Sequence, residues 1–280
     1  MKKKTWNIII RHVVLALLAF IWLIPIVWLV VTSLSATKGV SYQHFFPTNW
    51  TLANFHQLFF ETDTAANFPA WFKNTFIVAL FTCIISSCFV LMVSYAFSCM
   101  RFKGRKQLMS FSIILGMFPG VLSMIAVYFV LKMIGLTDSL AGLIIVYSAG
   151  SGLGFLVLKG FFDTIPRAVD EAAWIDGATR FQVFYKITIP LSKPILIYTV
   201  LTSFMAPWID FIFAKVILGT NYNKYTVAIG MWTMMQKEYI QTWYGRFTAA
   251  AVIVSIPISL LFLFMQKYYV EGMSAGAVKG

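Results

Sequence analysis

The chain has 280 residues, of which 60% are hydrophobic and 11% charged, with a mean hydropathy of +0.80. Soluble domains average about 45–50% apolar and about 25% charged residues, so this chain cannot cover itself with a water-compatible surface, which excludes an ordinary soluble enzyme, a disordered tail and a coiled coil. The net charge of +12, from 22 Lys and Arg against 10 Asp and Glu, reads in so apolar a chain as membrane topology rather than a nucleic-acid footprint.

A helix needs about 20 apolar residues to cross a bilayer core. Six runs meet that length, at about 13–34, 75–100, 108–131, 140–158, 194–218 and 247–265. They predict an all-α membrane protein forming one transmembrane domain over 1–280. The basic start Met1-Lys2-Lys3-Lys4 is followed by no small-residue cleavage pattern, so the first run is expected to be a retained span. Pro25, Pro119, Pro207 and Pro257 interrupt the runs. Transmembrane helices tolerate this where neighbours re-satisfy the freed carbonyls. No β-barrel alternation is present. Cys83, Cys88 and Cys99 sit in one apolar run without metal or redox spacing and read as packing residues.

Fifteen of the 22 basic residues fall on one side of this arrangement: in the N-terminal tail, the 101–106 loop, the 159–193 region and the C-terminal tail. Basic excess marks the cytoplasm, so both termini are expected there, as an even number of spans requires. The opposite face carries two aromatic-rich loops, near 35–73 and 219–245, neither long enough for a large folded domain.

Little in the spans could do chemistry. Asp210 and Lys215 fall in the fifth run, about 140° apart around a helix, and are poor mutual partners. An ionisable group at depth is a functional candidate, and Trp208 with Asp210 could mark a translocation path. Alternatively, the helix breaks near Pro207-Trp208 and both charges lie close to the interface. Gly150-Ser151-Gly152-Leu153-Gly154 permits close helix approach. No nucleotide-binding, zinc-hydrolase or serine-hydrolase signature is found, so no catalytic residue, metal or cofactor is assigned. An ion-coupled secondary transporter remains the alternative, but it calls for inverted repeats and more buried charge.

The informative segment is the polar loop of about 33 residues at 161–193. Thr164-Ile165-Pro166 reads as a helix start, with Thr164 a possible cap. Asp170 and Glu171 suit the positive end of a helix dipole, Ala172 and Ala173 are helix formers without bulk, and Gly177 can end the helix or admit another backbone. A second amphipathic stretch follows over 178–189, with Phe181, Phe184, Tyr185 and Thr188 on one face, and Pro190 and Pro194 stop it.

Glu171-Ala172-Ala173, three residues, Gly177, nine residues, Ile187, one residue and Ile189-Pro190 together resemble the EAA loop of binding-protein-dependent ABC importer permeases. Ile189 stands where the family has Leu. The longer string from Ile165 to Ala178 resembles sugar-importer permeases. Trp208-Ile209-Asp210-Phe211 is similar to a Trp-Asn-Asp/Glu-Phe stretch of that family, from which Ile209 departs. Residues 225–231 and the tail 272–280 resemble MalG-type maltose/maltodextrin permeases.

The resemblance implies a MetI-like ABC importer permease fold in a bacterial cytoplasmic membrane, with a cytoplasmic coupling helix. It implies a MalF-type partner permease, two ATPase subunits that bind ATP and Mg, and an extracytoplasmic solute-binding protein. It assigns ATPase coupling to Glu171, Ala172, Ala173, Asp176, Gly177, Ile187 and Pro190, with a possible tail contact at Gly276, Lys279 and Gly280. The implied substrate is maltose or maltodextrin, or alternatively another oligosaccharide or solute.

Overall fold

The computed structural model describes residues 2–40, 44–62, 66–150 and 154–275. Among these the chain is helical: α1 (Lys2–Ser33), α2 (Ala53–Phe60), α3 (Phe68–Cys99), α4 (Arg105–Gly116), α5 (Gly120–Met133), α6 (Leu140–Gly150), α7 (Phe155–Phe162), α8 (Arg167–Ile175), α9 (Arg180–Val183), α10 (Ile189–Leu191), α11 (Lys193–Ile209), α12 (Ile212–Leu218), α13 (Val227–Met234) and α14 (Ile240–Ala275). Three helices are long and apolar enough to cross a membrane unaided: Trp6–Ser33, Phe68–Cys99 and Ile240–Lys267. Two bent pairs, α6 with α7 and the 180–191 stretch with α11, raise that number to five.

Three of the six apolar runs fall on two helices each. Residues 108–131 fall on α4 and α5, each shorter than a bilayer is thick. Pro119 separates them because it lacks an N–H and holds extended backbone (ψ 120°) at the start of α5. Residues 140–158 fall on α6 and α7, either side of 151–153. Residues 194–218 fall on α11 and α12, broken at Asp210 (ψ 114°). Pro25, Pro207 and Pro257, by contrast, remain inside helices.

The chain divides into two compact units, Met1–Pro69 with Gly230–Ile256 and Ala70–Ile229 with Pro257–Gly280. In the first, residues 6–27 of α1 are mostly apolar and all exposed, as suits a helix in lipid, while 31–33 at its end are buried. Its end is tied to α2: Asn54 Nδ2 donates to Ser33 O, the last carbonyl of α1, at 3.0 Å and to Ser35 O beyond it at 2.8 Å. Glycine is required at 245, because a Cβ there would collide with Asn54 Oδ1.

In the second unit, the first turns of α3 grip the segment before α13. Trp71 Nε1 donates to Tyr222 O at 2.9 Å, and Asn74 Nδ2 donates to Asn223 O and Tyr225 O. The fully buried Thr75 hydroxyl donates to Trp71 O and accepts the Val227 N–H at 2.8 Å. Towards the other end of α3, Val90, Leu158, Phe162 and Ile195 form a buried apolar cluster that packs α3, α7 and α11 together. Thr75→Val keeps the side chain's shape but strands the Val227 N–H. We expect a loss of about 1–3 kcal/mol, read as a lower melting temperature of the purified permease.

Candidate functional site

The 161–193 loop begins where α7 ends. Thr164 does not cap α8; its Oγ1 donates back to Phe161 O at 2.7 Å, and Pro166 (φ −62°, ψ 130°) holds the cap position without a side-chain bond. Proline suits this place because its missing N–H is one the helix start would leave unpaired. α8 then ends in a Schellman turn. Gly177 has φ +82°, its N–H donates to Trp174 O at 3.0 Å, and the Ala178 N–H donates to Ala173 O at 2.9 Å. Open space surrounds the position a Gly177 Cβ would take, so the left-handed backbone, and not internal crowding, calls for glycine.

α9 starts with a capping box in which the Thr179 N–H donates to Gln182 Oε1 and the Gln182 N–H to Thr179 Oγ1. A π-helical turn, Phe184–Thr188, follows and leads through α10. The expectation that Pro190 stops this stretch needs correcting. Pro190 lies inside α10, and the chain turns at Ser192, where the 180–191 stretch meets α11 at 81°. Pro194 then sits in the first turn of α11.

This bent segment is tied to the helices beneath it. Ser98, near the end of α3, donates to Asp163 Oδ1 at 2.6 Å, and Lys159 pairs with Asp163 Oδ2 at 2.5 Å. Burial opposes the Asp163 charge, but the bonds from Lys159 and Ser98 outweigh it and hold the carboxyl below its usual range. The Tyr95 ring packs at a tilt against Phe184, with centroids 4.7 Å apart, and its hydroxyl donates to Arg180 O.

A cleft of about 530 Å³ opens between the end of α3, α8 and α9. It is lined by the carboxylates Asp163, Asp170 and Glu171 and the guanidiniums Arg101, Arg167 and Arg180. Partial burial, reinforced by Glu171 and opposed by Arg167, raises Asp170 above its ordinary range.

Of the residues singled out by sequence, Glu171, Ala172, Asp176 and Gly177 come together on the exposed side of α8 and its end. Ala173 does not join them; at 9% exposure it packs inward. Ile187 is half-buried on the π-helical turn and Pro190 is exposed. The expected shared face of the second stretch splits, with Thr188 buried and Phe184 against Tyr95, while Phe181 and Tyr185 point out. Sequence reading missed the apolar surface flanking Gly177, where Ile175 is 87% and Phe181 70% exposed. Its signal was large apolar residues in an otherwise polar loop. Gly276, Lys279 and Gly280 lie outside the described residues.

Trp208 and Asp210 sit elsewhere in the unit. Trp208 is buried between Phe72 and Phe204, with its Nε1 unpaired among the described residues. Asp210 accepts from the Tyr147 hydroxyl at 2.5 Å and from the N–H groups of Phe213 and Ala214, so it ends α11 and caps α12. Among the described residues, no group of three or more His, Cys, Asp or Glu could hold a metal ion.

Residues 91–275 match the family described as "Binding-protein-dependent transport system inner membrane component". The chain belongs to this family. Such a component is a non-catalytic integral membrane permease, and ATP is used by a separate subunit of the transporter. The chain is 33% identical over 275 residues to the maltodextrin transport system permease protein MdxG of Bacillus subtilis, covering 98% of this chain and 97% of that one. It is 31% identical over 275 residues to the galactooligosaccharides transport system permease protein GanQ of the same organism, covering 98% and 96%. The crystal structure of a bacterial ABC transporter involved in the import of the acidic polysaccharide alginate shares the fold, with a TM-score of 0.77 at 22% identity over 93% of this chain and 95% of that one.

Two outcomes test the site's construction. Ala173→Leu overpacks a buried position and should destabilise the permease by about 1–3 kcal/mol, whereas Ala172→Leu on the exposed side should stay within about 0.5 kcal/mol. Thermal melting in detergent distinguishes them. The depressed Asp163 carboxyl contributes stability fully above its ordinary value of 3.8, and loses it as pH falls through the lower folded value. The difference in melting temperature between the native chain and Asp163→Asn should therefore be flat from about pH 5 to 8 and shrink below about pH 4.

Proposed function

We propose that this permease forms half of the translocation pore of an ATP-driven oligosaccharide importer, with maltodextrin as its substrate. The observation that carries the coupling role is the exposed α8 end. Glu171, Ala172, Asp176 and Gly177 present a polar and small-residue surface, flanked by exposed Ile175 and Phe181. In this reading the short helix docks on an ATPase subunit, with Glu171 and Asp176 as polar anchors and Ala172 and Gly177 allowing close approach. Ala173 supports the helix from within, and Ile187 and Pro190 lie on the stretch that carries the movement to α11. ATP-driven closure of the ATPases then moves the loop, and its ties to α3, α7 and α11 pass the motion to the spans, a rigid-body switch between packed states.

The partners in this reading are a MalF-type second permease, two ATPases holding ATP and Mg, an extracytoplasmic solute-binding protein and membrane lipid; nucleic acid is not among them. The chain lies in a bacterial cytoplasmic membrane with both termini on the cytoplasmic side. The tail residues Gly276, Lys279 and Gly280 add a second contact to the ATPases. Trp208 and Asp210 border the path, where release of the Tyr147–Asp210 bond would free a carboxylate. The relatives named for maltodextrin transport support the substrate assignment. The similarity to a galactooligosaccharide permease favours a second reading in which that sugar is carried.

Gly177→Asp places a charge and a strained side chain at the docking surface. The assembled transporter should lose ATPase retention and transport, while the permease itself still inserts. Normal transport and hydrolysis would refute the docking assignment. Calorimetric titration of the cognate solute-binding protein with maltotriose and with a galactooligosaccharide decides between the two substrates.

A further inference from the structure

An open hollow of about 540 Å³ follows the end of α3, formed by the turn and the start of α4 through Arg101, Phe102, Gly104, Arg105, Lys106, Gln107 and Met109, with Arg101 also lining the cleft by α8. Its lining has no carboxylate. Four of the six residues at 101–106 are basic, and among the described residues none of them is in an ion pair. Asp163 feels the charge of Arg105 but is already bonded by Lys159 and Ser98. Arg105 Nη1 donates to Met100 O at 3.3 Å, which holds that guanidinium just past the end of α3. Gly104, with φ +85°, makes the turn that sets α4 directly after it.

What lies beyond the cavity limits its occupant. α4 buries none of its residues in this chain, and Leu108, Phe111, Ile114 and Leu115 are all exposed on it. A soluble anion would use the cations and gain nothing from that apolar surface. A molecule with an anionic head and hydrocarbon tails uses both. Basic clusters directly following a membrane span attract anionic headgroups, and guanidinium forks match phosphate oxygens. We propose that this cavity is a binding site for the headgroup of an anionic phospholipid, its phosphate held by Arg101, Arg105 and Lys106 and its acyl chains lying along α4.

The test uses the full chain, purified in detergent with its co-purifying subunits and offered equal phosphatidylglycerol and phosphatidylcholine. Retained lipid is counted by native mass spectrometry. The native complex should keep phosphatidylglycerol preferentially. The triple change Arg101→Gln, Arg105→Gln and Lys106→Gln should lower that preference at least about tenfold. The equal charge change Lys2→Gln, Lys3→Gln and Lys4→Gln should alter it by less than about twofold. In the native complex, the preference should weaken as NaCl rises from about 50 to about 500 mM, and inorganic phosphate at about 10 mM should not displace the lipid. Equal losses in both triple variants would reduce the effect to bulk charge, and displacement by inorganic phosphate would make this a free-anion site. Unchanged lipid with loss of a co-purifying subunit would make it a protein contact. Each of these overturns the proposal. Should the triple variant not survive purification, a native preference insensitive to salt overturns it as well.

Discussion

Asp163 accepts from Ser98 and Lys159 where α7 leaves the apolar layer and the polar loop begins. Beneath it, Val90, Leu158, Phe162 and Ile195 join α3, α7 and α11 into one packed cluster. In the proposed coupling, movement of α8 would reach the spans through contacts such as these. If the root of the loop were soft, displacement of α8 would be lost in local rearrangement. Packed interiors resist small deformations and shift as bodies, so a loop anchored by both an ion pair and an apolar cluster can transmit displacement.

The bend at Ser192 gives that anchoring a direction. The 180–191 stretch meets α11 at 81°, so in the proposed coupling a push along one would become a tilt of the other. A π-helical turn within the stretch rotates its side chains, which is why Phe184 and Thr188 turn inward while Phe181 and Tyr185 stay exposed. At the far end of α11 the helix breaks at Asp210, whose carboxylate caps α12 and holds Tyr147 of α6. The same helix thus ends in a loop at one side and a hydrogen-bonded junction at the other.

Legibility differed between the parts of the site. The spacing from Glu171 to Pro190 located the loop, because short-range requirements such as a helix start, a helix-forming pair and a left-handed stop are written in adjacent residues. Gly177 is the clearest case: its positive φ and the Schellman turn follow from local backbone chemistry. Inward or outward orientation was not local. Ala172 and Ala173 are indistinguishable as residues, yet one is exposed and the other packed away. The clamp on Asp163 was illegible for a similar reason, since Ser98 stands 65 residues away and reads by itself as an ordinary small residue of a span.

By itself, the sequence determined that the chain is a helical membrane protein, where its apolar runs lie, and which loop carries the family's signature. Composition and run length suffice for this, because the bilayer imposes one thickness and one polarity on anything that crosses it. Only the tertiary structure decided which prolines break a helix, which alanine faces out, and what Asp210 does. Pro119 stands in the break before α5, while Pro25, Pro207 and Pro257 stay inside helices. All four lack the same N–H and carry the same ring, so residue chemistry alone does not separate them; the backbone each one joins does, extended at Pro119 and helical at the others.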